Sequence, residues 1–288
     1  MGTYRKHLSG DMAFKSFVPT PISEIRIVHT ERLDKLIRVV EDAMNRLNVY
    51  AVQLSDEQVL QFMRQEAEFS CKLASGGQPV SFALGTNTDD ESIDDVENLL
   101  KATFYALEAM DELPLSARLL KNAHYLMCNS ERYAKKYPGE FRSSPVWIGR
   151  KGSGLNDALF VPPAYEDMVN AFSDLEHFIH YTEENVFIKA AILHYQFEMI
   201  HPFIDANGRI GRLLIILFLY ENKVSYSSVL LLSNAISAYI EKYYNMIQHV
   251  NTTGDIDAWV RFFLPVLEYA MRLTLKSVEH CVGHCPSA

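Results

Sequence analysis

An all-α fold with one small β-hairpin is what this sequence predicts, on three observations. From Thr30 onward apolar residues recur at intervals of three and four through most of the chain. Apolar residues make up 48% of the 288 positions, whereas Gly and Pro number 13 and 11. That balance supports long helices around a large core and argues against disorder or a collagen-like structure. One stretch, 141–162, drops the helical period and turns to strand-favouring residues around a Gly/Ser/Asn turn.

The elements follow in order. Residues 1–30 read as an irregular arm, because Pro19 and Pro21 interrupt any helix. Leu33, Leu36, Ile37, Val40, Ala43 and Leu47 form the stripe of a first helix beginning after Thr30. A second runs from Ser55 or Asp56 to about Leu73, with Val59, Leu60, Met63 and Ala67 on one face, and stops at Ser75-Gly76-Gly77-Gln78-Pro79. A third spans Ser92 to Met110. A fourth starts near Ser116 and continues through Leu119, Leu120 and Ala123 toward Tyr133. Val146, Trp147 and Ile148 favour a strand, and 158–161 suits its return. Helices resume at Ala164 with Met168, Val169, Phe172, Leu175 and Ile179 on one face, then at about 184–200, 209–222, 234–250 and 256–278. The chain therefore divides into the arm, an N-terminal helical region at 31–112, a core at 113–278 that contains the hairpin, and a tail at 279–288.

Composition narrows the function. Lys plus Arg less Asp plus Glu is 27 − 36 = −9. A net acidic chain is poorly suited to nucleic acid or anionic membranes, which need a basic surface. Four cysteines are too few for a disulfide framework. Cys71 and Cys128 read as small buried side chains. Cys281 and Cys285 with His280 and His284 lack the companion ligand pair of a zinc site. The first thirty residues hold no continuous apolar core of a secretory signal, and the longest apolar run, Leu213 to Tyr220, is too short to span a bilayer. The expectation is a protein of a reducing compartment, the cytoplasm.

The informative stretch is His201-Pro-Phe-Ile-Asp-Ala-Asn-Gly-Arg-Ile-Gly-Arg212, between two strongly apolar helices. Pro202 ends the first helix and begins a turn. Asn207 and Gly208 tolerate the backbone angles that close it. Arg209 and Arg212 then fall in the first turn of the next helix, whose N-terminus is already positive. Cations there are unfavourable by about 0.3–1 kcal/mol each, and free N–H groups point out of the same end. A bound phosphate resolves that conflict. Asp205 would repel the phosphate unless a divalent cation such as Mg²⁺ lies between them. His201 is the nearby side chain whose ordinary pKa suits a general base near neutrality. Taken singly, Asp205 and Arg209 could merely pair, Asn207 merely cap, and His201 sit in the core. Together in twelve residues they point to an anion site with a base.

The same residues strongly resemble the signature of the Fic domain, His-Pro-Phe-x-Asp-x-Asn-Gly-Arg-x-Gly-Arg. Gly139-Glu-Phe-Arg-Ser-Ser-Pro-Val-Trp-Ile-Gly149 is similar to that family's hairpin flap, Phe160-Val-Pro-Pro163 to the segment after it, and Asp255 to Leu264 to its closing helix. Glu66 to Ser70 resembles the helix of the N-terminal Fic-associated region. The resemblance covers roughly residues 30–275. It implies protein adenylyltransfer: AMP moves from the co-substrate ATP to a Ser, Thr or Tyr hydroxyl of a target protein, and pyrophosphate leaves. His201 would take the hydroxyl proton and Asp205 would hold Mg²⁺. The 206–208 backbone of Ala206, Asn207 and Gly208, with Arg209, would cradle the phosphates. Gly211 lies in the same stretch, and Arg212 would reach the γ-phosphate. Val146, Trp147, Ile148 and Gly149 of the flap would dock the target by main-chain pairing. Tyr243 and Tyr244 match a tyrosine pair near the family's nucleotide pocket, although two core tyrosines would look the same. The chain itself is a further candidate acceptor, and a homodimer is compatible with this reading; nucleic acid and membrane are not expected partners.

Two departures stand out. Ala206 occupies a loop position most often glycine, which is acceptable if its φ stays negative. In the subclass with an N-terminal regulatory helix, a Ser/Thr-x-x-x-Glu-Gly/Asn motif supplies a glutamate that pairs with the second motif arginine. Here Ser70 is present, but Ala74 replaces the glutamate and Ser75 the Gly or Asn. The expectation is that this self-inhibition is absent or rerouted, leaving Arg212 free. Two alternatives share the signature: transfer of another phosphate-linked moiety, and a catalytically silent Fic scaffold acting as a regulatory binding module.

Overall fold

The computed structural model describes residues 2–8, 13–74, 93–149, 152–224 and 226–283. Ten α-helices are present among them: α1 Glu31–Ala51, α2 Asp56–Ala74, α3 Ile93–Ala109, α4 Ala117–Met127, α5 Tyr165–Tyr181, α6 Val186–Ile200, α7 Asn207–Glu221, α8 Leu232–Ala238, α9 Ile240–Thr253 and α10 Ile256–Gly283. The all-α class expected from the sequence is what forms.

Local chemistry starts several of these helices. The Thr30 side chain accepts from Leu33 N at 3.2 Å and Glu31 and Asp34 sit in the first turn of α1, where acidic groups favour the helix dipole. Ser116 caps α4 in the same way, through Leu119 N. The predicted α1 stripe is buried at Leu33, Ile37, Val40 and Leu47 and lies along α10. At the centre, α6 and α7 bury residues on every side. A helix apolar all round belongs in the interior. Helices α5 and α10 pack on α6, while α2, α3 and α4 pack on α7. The fully buried Trp259 locks α10 to α6 by donating from Nε1 to Ala191 O at 2.7 Å. Glu66 ties α2 to the start of α8, accepting from Ser233 N at 2.9 Å and from Ser233 Oγ at 2.5 Å.

Four sequence expectations are corrected. The arm at 1–30 is not irregular: β1 Gly2–His7 and β2 Phe14–Pro19 pair antiparallel, with Tyr4 opposite Phe17. The prolines end the second strand instead of preventing order. What organises it is a distant contact, since Phe17 is fully buried, its N donates to Val161 O at 2.8 Å, and its ring lies 5.4 Å from that of Phe160. Conversely, the hairpin expected at 141–162 is reduced to one isolated bridge, Ile148 to Phe160, with Ile148 N donating to Phe160 O at 2.8 Å. The β-favouring run is intact, but β2 and not a second flap strand lies beyond Val161. Finally, the helix expected at 234–250 breaks at Tyr239, and α4 gives way to a 3₁₀ turn at Glu131–Lys136 closed by the left-handed Tyr137 (φ +49°).

Candidate functional site

The loop 201–206 joins the two central helices. His201 ends α6 in the left-handed region, φ +49° and ψ +61°. Asn207 then holds the loop shut with its amide: Oδ1 accepts from Phe203 N and Nδ2 donates to Phe203 O, both at 2.9 Å. Phe203 is buried and stacks on the His124 ring at 3.9 Å. His124 Nδ1 accepts from Gly139 N at 2.8 Å, so Nε2 carries the proton and donates to Asp205 O at 3.2 Å. Burial pushes His124 down to about 4, keeping it neutral in this bracing role.

Ala206 corrects an expectation. Its φ is +62°, in the left-handed region, not negative. A Cβ there costs about 1–2 kcal/mol relative to glycine. Ala206→Gly should therefore raise stability by about 1 kcal/mol and the melting temperature by about 2–4 °C, measurable by calorimetry.

His201 is 4% exposed. Burial, reinforced by the Arg142 guanidinium, pushes its pKa down to about 4, so the ring is neutral at pH 7. Its Nδ1 is buried with no hydrogen-bond partner. The carbonyls around it are clamped by Arg142, itself fully buried. Arg142 Nε donates to His201 O at 2.7 Å, and Nη2 to Pro163 O at 2.7 Å and to Ile200 O at 3.2 Å. A cation at the C-terminus of α6 suits the helix dipole. One side chain thus joins the flap, the segment after it and the histidine.

The charged groups are all engaged internally. Arg209, 2% exposed, donates from Nη2 to Tyr133 Oη at 2.6 Å and lies 3.6 Å from Asp95 Oδ2. Asp205 accepts from Ala206 N at 2.6 Å, contacts the Lys136 ammonium through Oδ2, and lies 4.0 Å from Arg209 Nη2. Burial opposes its ionisation, yet Lys136 and Arg209 hold the carboxyl below the usual range. Arg212 donates from Nε to Ser70 Oγ at 2.9 Å and from Nη2 to Ser70 O at 2.8 Å. A narrow cavity between α2, α3 and α7 is lined by Arg209, Glu66, Ser70, Thr103, Leu213 and Ile216 among others, and His201 is not one of its lining residues. An ionised carboxylate that already attracts an ammonium is a hard oxygen donor of the kind Mg²⁺ takes, so Asp205 fits a divalent ion.

Comparison with known proteins places this arrangement. Residues 114–219 match the family model described as the Fic/DOC family. The chain is 34% identical over 150 residues to a protein adenylyltransferase Fic of Drosophila willistoni, covering 51% of this chain and 27% of that protein. It is 32% identical over 151 residues to the counterpart of Drosophila grimshawi, covering 51% and 28%. The alignment thus spans little more than a quarter of these relatives. Among solved structures, a Fic family protein from Desulfovibrio desulfuricans superposes with a TM-score of 0.71 at 22% identity, over 88% of this chain and 78% of that one. A Fic domain containing signaling protein from Bacteroides thetaiotaomicron gives 0.57 at 19% identity, over 85% and 98%.

Residues 114–219 therefore match a Fic domain.

Within the Fic motif, α6 and α7 meet closely at Gly211: a Cβ there would stand 2.4 Å from Glu198 Oε1 and 3.1 Å from Phe197 Cδ1, so those side chains would have to shift. Gly208 has more room, its nearest neighbour being the end of the Arg212 side chain at 3.2 Å. In the flap, Trp147 is 39% exposed and donates to Ser153 O at 2.9 Å, and Val146 and Ile148 are half-buried. Gly149 is buried, and a Cβ there would strike Ser153 Oγ at 2.2 Å. The tyrosine pair separates. Tyr243 is a buried core residue bonded to His194 Nε2 at 2.9 Å and packed on Trp259, while Tyr244 is half-buried beside it. Ala74 is the exposed last residue of α2, and Ser75 lies outside the described residues, as do His284 and Cys285. Arg212 is not free, because Ser70 holds it. Asp95, His124, Tyr133, Lys136 and Arg142 were not singled out in the sequence as parts of the Fic site. Their separation from the motif by 59 residues or more left no spacing to read; His124 inside an apolar helical run was the available signal. No helix among the described residues is long and apolar enough to cross a membrane.

Proposed function

We propose that this chain is a protein adenylyltransferase that moves AMP from ATP to a Ser, Thr or Tyr hydroxyl of a target protein in the cytoplasm. The observation that carries the reading is a neutral, buried His201 on the same short loop as the ionised Asp205 and the first turn of α7. His201 accepts the hydroxyl proton while the hydroxyl oxygen attacks the α-phosphorus. The bond to the β-phosphate oxygen breaks and pyrophosphate departs. Arg209 and the first-turn amides stabilise charge on the phosphates, and Arg212, once released by Ser70, reaches the outer phosphate. Asp205 would hold Mg²⁺, which would neutralise charge between the phosphates. The exposed Trp147 edge of the flap would seat the target segment.

The test is incubation with ATP labelled on the α-phosphate and Mg²⁺, with and without cell lysate, followed by a search for label on protein. Label from the γ-phosphate alone, or faster label from a different nucleotide, would redirect the reading to another phosphate-linked group. A silent Fic scaffold is the second reading, favoured by the internal engagement of Asp205, Arg209 and Arg212. Mg-ATP should raise the melting temperature if the site binds nucleotide, and no shift would favour the scaffold.

Ala74→Glu bears on control. Ser70 already reaches Arg212, and a carboxylate one turn further along α2 would add an ion pair to it. A pair worth about 1 kcal/mol should reduce labelling by roughly five-fold. Unchanged labelling would show that α2 exerts no control through position 74.

A further inference from the structure

We propose that Lys136 is a resident counter-cation that competes with the divalent ion for Asp205, so that the ion binds by displacing the lysine ammonium. The proposal rests on the reading of Asp205 as a metal ligand. Two features of the site support it.

First, the two carboxylate oxygens are not equivalent. Oδ1 is committed to the loop, accepting from Ala206 N at 2.6 Å. Oδ2 is the oxygen Lys136 contacts, and it is the one left for a metal. Second, the two cations around Asp205 differ in freedom. Arg209 is 2% exposed and fixed by Tyr133 and Asp95. The Lys136 side chain is 32% exposed and leaves the end of a short 3₁₀ turn, so it is much freer to move than Arg209. While it contacts Asp205, its ammonium also lies 5.2 Å from the Tyr133 ring centroid. Lys136 thus holds the carboxylate ionised and aimed before the metal arrives, and weakens the metal by like-charge repulsion and by the ion pair that must be broken.

The experiment measures Mn²⁺ alone, without nucleotide, by electron paramagnetic resonance titration of free ion and by calorimetry. Lys136→Met should bind Mn²⁺ about ten-fold more tightly than the unmodified chain. Lys136→Arg, which keeps the charge, should gain nothing. Asp205→Asn should lose the site in every background. Near-ultraviolet circular dichroism establishes that each variant is folded, and Lys136→Gln supplies a second neutral variant. Equal or weaker Mn²⁺ binding in both neutral variants, with the Asp205 dependence intact, overturns the competition while leaving Asp205 a ligand. Absence of Asp205-dependent binding in all of them overturns the metal reading as well.

Discussion

His201→Ala is expected to lower AMP transfer by about 10²–10⁴-fold, the contribution of a positioned base, while the thermal shift with Mg-ATP persists. The pH behaviour separates a base from a structural histidine. A base must be unprotonated, and burial sets this ring's pKa at about 4. Transfer by the unmodified chain should then be level from pH 8 to about 5 as far as this group is concerned, and should fall below that as the ring protonates. The stability sign follows from the same depression. The folded pKa lies under the unfolded value, so the folded state is favoured above pH 6.5 and loses that advantage as pH falls toward 4. His201→Ala removes this loss. Between pH 7 and pH 5 the variant should lose less stability than the parent, by on the order of 1–2 kcal/mol. Urea titrations at the two pH values read the difference. Parallel pH slopes would mean the ring is not held neutral by the fold, and wild-type rates in the variant would remove the base altogether.

Arg142→Met should be among the most destabilising single changes, at about 3–5 kcal/mol. The side chain is fully buried and its donors satisfy the carbonyls of His201, Ile200 and Pro163. Methionine fills similar volume but leaves those oxygens unpaired away from water, each worth about 1–3 kcal/mol. The melting temperature should fall by roughly 6–20 °C. Arg142→Lys keeps the charge and loses the fork, so it should fall between the two. A loss under 1 kcal/mol for the methionine variant would show that water or local movement satisfies the carbonyls. Burial brings the guanidinium down to about 10, still charged at neutrality.

Much of this architecture is legible in the sequence because it is local. The α1 stripe, the cap at Thr30 and the motif between two apolar helices follow from spacing within a few turns. What the sequence concealed depends on segments far apart along the chain. Phe17 turns the arm into a hairpin because Val161 offers it a carbonyl. Ser70 restrains Arg212 across 142 positions. An alanine at 206 suggests negative φ, whereas the loop closed by Asn207 places it at φ +62°. Tyr243 was ambiguous between pocket and core until His194 supplied its partner.

The packing of α1 along α10 has a consequence for biogenesis. Synthesis on the ribosome delivers the two helices at widely separated moments, and everything that forms the centre emerges between them. Until α10 follows, the greasy side of α1 and one side of α6 have no permanent cover. Such a nascent chain is a natural client for chaperones and slow to complete its fold. Lesions that delay or shorten α10 should therefore lower cellular yield before they affect chemistry.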